Sequence, residues 1–175
     1  DQVQAVLDTV FGEQLMRLYK AATLESGDLL EHYFFSSRWA KSVRGKVEAL
    51  LGGPADAPRL ELLPGVEVAN LCDFYEDTLE HLPRRPGDQF YQAYTHGDLN
   101  GANILLDGGG NVWLIDFAHA QRGHVLRDVA KLESDLLFIM TPLGDDGELA
   151  QAQRVSDALA AVTDLTAPLG EPPAG

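Results

Sequence analysis

The sequence has little cysteine: Cys72 stands alone among 175 residues. No internal disulfide can form, which suits a reducing, cytoplasmic setting. No apolar run approaches the roughly 18 residues that a bilayer-crossing helix needs. No N-terminal signal pattern is visible, and the chain begins at Asp1 rather than Met. It is therefore expected to be an excised or processed piece of a longer parent, whose other domains are its first partners. Basic residues are also scarce, 13 Lys and Arg against 27 Asp and Glu, for a formal charge of −14. That balance repels a phosphate backbone and an anionic bilayer alike, so neither nucleic acid nor membrane is an expected partner. A nucleoside triphosphate remains admissible, because Mg²⁺ can bridge it to an acidic protein. Internal repeats are absent.

What is present suits one folded domain. Hydrophobic residues make up 45% of the chain, enough for a packed core. Apolar residues recur at helical spacing over 3–20 and 28–51. Residues 52–64, rich in Gly, Pro and Ala, read as a loop, and helix is expected again over 66–81. Residues 89–95 (QFYQAYT) are aromatic and β-prone. Two short apolar runs, Ile104–Leu106 and Val112–Ile115, flank Asp107-Gly108-Gly109-Gly110-Asn111 and predict a hairpin. Helices are expected over about 125–140 and 145–163, and 167–175 (APLGEPPAG) as a disordered tail or linker. The fold class predicted is α+β, mainly α with a small β-hairpin.

Chemistry concentrates in residues 95–120, THGDLNGANILLDGGGNVWLIDFAHA. Phosphoryl transfer needs charge balance at the transferred group, usually from Mg²⁺. Mg²⁺ takes oxygen ligands, one or two carboxylates plus phosphates and water. An acceptor hydroxyl needs a carboxylate beside it to orient it and take its proton. Asp98, Asn103 and Asp116 supply such groups, and a loop followed by a tight hairpin can gather them at one edge.

The pattern H-G-D-x-x-x-x-N, a hairpin, then I-D-F resembles the aminoglycoside and choline phosphotransferase branch of the protein-kinase-like superfamily. Residues GHVLRDVAKLESDLL are similar to the segment that follows this motif in kinase-like domains of bacterial multidomain and conflict-system proteins, the ternary complex associated domains among them. The resemblance implies Asp98 as catalytic base, and Asn103 and Asp116 as ligands of Mg²⁺ and so of the bound nucleotide, ATP or GTP. It implies that His96 is architectural, that Gly97 supplies an unusual backbone angle, and that Asp128 holds the His96-Gly97 backbone. It further implies that 1–166 is the helical C-terminal lobe of the kinase-like fold. Within it, 1–88 is helical, 89–120 is the catalytic loop and hairpin, and 121–166 is helical. Before residue 89 there is no β-rich stretch and no Gly-rich phosphate loop, and Lys20, Lys41 and Lys46 fall in helical patterns. This segment alone is therefore expected to show little catalysis.

Two functions compete at this stage. One is transfer of the terminal phosphoryl group of a Mg-bound nucleotide to a hydroxyl acceptor, exercised in the intact parent. The other is a degenerate kinase-like module that binds partners or regulates a larger protein. Plainer readings apply elsewhere: Trp113 belongs to core or hairpin surface, Gly108–Gly110 to a turn, His119 and His124 to solvated or hydrogen-bonded positions rather than a metal site. Asn100 stands where related enzymes place a Lys or a His, so it names no particular acceptor.

Overall fold

A computed structural model of the chain describes residues 2–33, 37–63, 65–164 and 166–167. Contacts divide it into two compact units: residues 1–24 with 91–175, and residues 25–90. The second is thus inserted in the sequence of the first.

The first unit opens with α1 (Gln2–Leu7), a π-helical stretch over Asp8–Gln14, and α2 (Met16–Lys20). Leu15 N donates to Val10 O at 2.9 Å, five residues back. An α-helix sets residues five apart on different faces, whereas the wider turn lets Val10 and Leu15 both point inward. They are 0% and 2% exposed and form the core with Leu99 and Leu132. Strand β5 (Ile104–Leu106) pairs antiparallel with β6 (Val112–Leu114), Leu105 opposite Trp113. Ile104, Val112 and Leu114 pack against the core, while Leu105 and Trp113 face outward, the two-residue alternation of a half-buried sheet. Gln14 Nε2 donates to Val112 O at 2.6 Å, satisfying part of the open edge of β6. Helices α5 (Arg127–Phe138) and α6 (Asp146–Ala160) follow; Asp145 caps α6 by accepting from Glu148 N at 2.9 Å.

Strands β1 (Thr23–Gly27), β4 (Asp88–Thr95) and β7 (Gln121–His124) form a sheet in the order β1-β4-β7, with β4 and β7 antiparallel. The division between the units falls inside β1 and β4.

The second unit holds α3 (Ser37–Leu51), β2 (Arg59–Leu63), β3 (Val66–Ala69) and α4 (Leu71–Glu76). Its own core gathers Ala55, Leu60 and Cys72, with Val47, Leu51 and Val68 against them. Burial raises the Cys72 thiol pKa and keeps it protonated. Asn70 ties the unit together. Its Oδ1 accepts from Cys72 N at 2.9 Å, and its Nδ2 donates to Ala55 O and Ala57 O at 2.9 and 2.8 Å. Arg44 grips Glu76 through Nε and Nη2, both at 2.6 Å, and that fork lowers the Glu76 carboxyl pKa.

The predicted fold class is corrected. Helix accounts for 49% and strand for 19%, so the chain is roughly α+β as expected, but its strands form several small antiparallel sheets and not one hairpin. Nothing in this architecture marks it as the helical C-terminal lobe of a kinase-like fold. Residues 1–88, expected to be helical, contain β1, β2 and β3, and 121–166 begins with β7. The loop expected at 52–64 ends in β2, and the helix expected from 66 starts as β3. The reason is alternation: Arg59 and Glu61 are exposed around buried Leu60, and Glu67 is exposed between half-buried Val66 and Val68. That period of two outweighs the weak helical pattern. The expected tail lies outside the described residues from 168 onward.

Candidate functional site

Strand β4 delivers the chain to the site. Thr95 and His96 at its end are 1% and 0% exposed. Thr95 lies opposite Gln121 of β7, and its hydroxyl donates to Gln121 O at 3.2 Å.

The next turn is shaped by one carboxylate. His96 N and Gly97 N donate to Oδ2 and Oδ1 of Asp128, each at 2.8 Å, and the Tyr19 hydroxyl donates to Oδ2 at 2.8 Å. Asp128 is fully buried, a costly place for a carboxylate unless donors surround it. Its position in the first turn of α5 adds the favourable field of a helix N-terminus. Burial, followed by the nearby Asp128 carboxylate, pushes the Tyr19 phenol far above its ordinary range, so it remains a proton donor.

Gly97 has φ of +86°, and a Cβ there would lie 2.1 Å from His119 O. Both the left-handed backbone and the close approach require glycine. The His96 ring packs against Phe117 with centroids 4.6 Å apart and planes tilted by 44°, and its Nε2 lies 2.8 Å from Ile115 O, so Nε2 carries the proton. Its Nδ1 is buried without a hydrogen-bond partner among the described residues.

Leu99 is 0% exposed and plugs the loop into the core. The neighbouring Asp98 is half-buried. Asn103 Nδ2 and Asn100 Nδ2 donate to Asp98 O at 2.9 and 3.1 Å. Asn100 Oδ1 also accepts from Ala102 N at 3.0 Å, so this side chain shapes the loop. Asn103 O accepts from Ile115 N at 3.1 Å, which brings the start of β5 beside the residue preceding Asp116. Asp116 is the one non-glycine residue with positive φ among those described, at φ 61° and ψ 60°. Asp tolerates this region better than most residues, at some cost. No hydrogen bond or ion pair engages its exposed carboxylate among the described residues.

Three contributors escaped the sequence reading: Tyr19, Lys131 and Asp135. Lys131 Nζ lies 3.2 Å from Asp98 Oδ1. Asp135 Oδ2 accepts from Gly101 N at 2.7 Å, and Met140 packs so close to Gly101 that a Cβ there would sit 2.2 Å from its sulfur. Asp128, Lys131, Leu132 and Asp135 stand at i, i+3, i+4 and i+7, one face of α5. That spacing, read from RDVAKLESDLL, was the available signal for Lys131 and Asp135. Tyr19 carried none beyond its place in an amphipathic helix.

The family model described as ternary complex associated domain 9 matches residues 55–174. The chain belongs to that family. The match contains every residue of the loop, the hairpin and α5, and begins after Tyr19. No curated protein and no solved structure matches the chain. No described helix is long and apolar enough to cross a membrane.

Asn103 and Asp116 are the residues that could hold Mg²⁺. Asn103 is buried and has committed its amide nitrogen to Asp98 O, while the Asp116 carboxylate is exposed. Both are hard oxygen donors. Among the described residues no group of three or more His, Cys, Asp or Glu side chains is placed to hold a metal; the two oxygens instead suit a cation whose other ligands are phosphates and water. The glycines at 108–110 form the hairpin turn. Asp107 Oδ1 takes up Gly109 N at 2.8 Å and Asn111 N at 2.9 Å. Trp113 lies on the hairpin surface, its Nε1 donating to Asp107 Oδ2 at 3.1 Å.

Proposed function

We propose that this domain carries a phosphotransfer centre of the protein-kinase-like type, akin to the aminoglycoside and choline phosphotransferases in its motif. In a longer cytoplasmic parent it transfers the terminal phosphoryl group of ATP or GTP to a hydroxyl acceptor. The observation that carries this reading is the hydrogen-bonded chain joining Asp98, Asn103 and the Ile115-Asp116 step, with the Asp116 carboxylate exposed. Asn103 and Asp116 would hold Mg²⁺, which would balance charge on the phosphates. Asp98 orients the acceptor hydroxyl and takes its proton as the acceptor oxygen bonds to phosphorus and the nucleoside diphosphate leaves. Asp128 and His96 position the loop and touch no substrate.

A second reading, a partner-binding regulatory module, draws support from the family's description as ternary complex associated. It also draws support from exposed Phe138 at the end of α5 and Ile139 and Leu143 just beyond it. Calorimetry separates the two. Mg-ATP and Mg-GTP are titrated into this chain and into one extended upstream, each beside Asp116→Ala. Under the phosphotransfer reading, binding requires Mg²⁺ and vanishes in Asp116→Ala. In the extended protein Asp98→Ala then abolishes turnover while sparing nucleotide binding. Absence of Mg-dependent binding in both proteins overturns that reading in favour of the binding module.

A further inference from the structure

We propose that Lys131 is a phosphate-binding residue of this centre, and that its pairing with Asp98 is a resting arrangement which the terminal phosphate of the nucleotide displaces. The inference rests on the phosphotransfer reading above. Lys131 Nζ lies 3.2 Å from Asp98 Oδ1, and the two side chains are 45% and 35% exposed. The ammonium therefore reaches solvent and whatever approaches Asp98 from it.

The fold fixes this proximity. Helix α5 is tied to the loop on both sides of Lys131: Asp128 binds the His96 and Gly97 amides, and Asp135 binds the Gly101 amide. Leu132, next to Lys131, is 2% exposed and sits in the same core as Leu99, next to Asp98. Two carboxylate clamps and a core contact hold the base of Lys131 against the loop, while its four-carbon stem stays mobile.

Charge supplies the reason. A phosphoryl group in transfer spreads negative charge over its oxygens, and positioned cations balance it. The loop itself, residues 97–103, contains no Lys or Arg, and Asn100 is engaged with Asp98 O and Ala102 N. In a chain of net charge −14, an ammonium held beside the proposed base is a specific investment. A half-exposed ion pair is weakly held. A phosphate with more charge and more acceptor oxygens than one carboxylate can take Lys131 from it. Asp98 is then released as Lys131 moves to the phosphate, so the base becomes free to accept the acceptor's proton only when a nucleotide is present.

The test is calorimetric titration of Mg-ATP and of Mg-ADP into the unaltered chain, Lys131→Met, Lys131→Arg and Asp116→Ala, with folding checked by circular dichroism. Loss of one charge-assisted contact to the terminal phosphate weakens Mg-ATP about tenfold in Lys131→Met. Mg-ADP, lacking that phosphate, changes by less than about twofold. Lys131→Arg keeps most of the preference for ATP. A merely structural Lys131 would not separate the two nucleotides. If Mg-ATP binding still depends on Asp116 but Lys131→Met leaves the ATP preference intact, the Lys131 assignment is overturned and the phosphotransfer reading stands. If neither this chain nor one extended upstream binds Mg-ATP, both are overturned.

Discussion

Asp128 touches no solvent, yet it sets the geometry of the residues that do. Three donors converge on it, from His96, Gly97 and Tyr19. Asp128→Ala leaves them buried and unpaired, at about 1–3 kcal/mol for each group left unsatisfied. Urea unfolding should therefore show a loss of several kcal/mol, well beyond that of an exposed carboxylate such as Asp146→Ala. A loss under about 1 kcal/mol would mean that water replaces the carboxylate and that the loop does not depend on it. Gly97 and Asp116 hold the two left-handed positions of the site for different reasons. Gly97 is required by the His119 carbonyl above it as well as by φ. Asp116 has an open carboxylate, and its strain is placed where a cation is proposed to bind.

At the scale of elements, α5 acts as a spine. One face supplies two carboxylate clamps, a core leucine and Lys131 to a loop about 30 residues earlier. The hairpin has its own local device in Asp107, which accepts from Asn111, Gly109 and Trp113. These bonds, led by the Asn111 amide, hold the Asp107 carboxyl far below its ordinary value of 3.8. A folded-state pKa depressed in this way adds stability that is fully present above the unfolded value. It is lost as pH falls below 3.8 toward the folded value. Acid titration should therefore loosen the hairpin turn in that window and shift Trp113 fluorescence. Asp107→Asn should show the looser state at neutral pH and flatten the acid response. Identical profiles for the two proteins would locate the acid transition elsewhere. Strand β4, the hairpin, α5 and α6 were legible because each is long, periodic or bounded by turn residues. Strands β2 and β3 were not, since four or five residues fit a helical stripe nearly as well as an alternation.

Among the described residues there are two hydrophobic cores, one around Val10, Leu15, Leu99 and Leu132 and one around Ala55, Leu60 and Cys72. The candidate site belongs entirely to the first. Leu60 is 5% exposed, and truncating it to Ala removes about 2–5 kcal/mol of packing. Hydrogen exchange on Leu60→Ala should show faster exchange in α3 and α4, with the amides of 96–138 protected as before. Uniform loss of protection would mean that both cores melt as one cooperative unit.

The sequence alone determined which polar side chains the loop and hairpin carry. The spacing of Asp98, Asn103 and Asp116, the turn that folds the hairpin back, the acidic balance and the single thiol are all local or additive properties. They survive any arrangement of the rest of the chain. Tertiary structure decided which distant groups complete the site. Tyr19 and Asp128 meet across 109 positions, and His96 and Asp128 across 32. Periodicity tells which face of a helix is apolar, but not which buried backbone amide its carboxylate will satisfy. That choice is made only when the cores close and every enclosed polar group must find a partner.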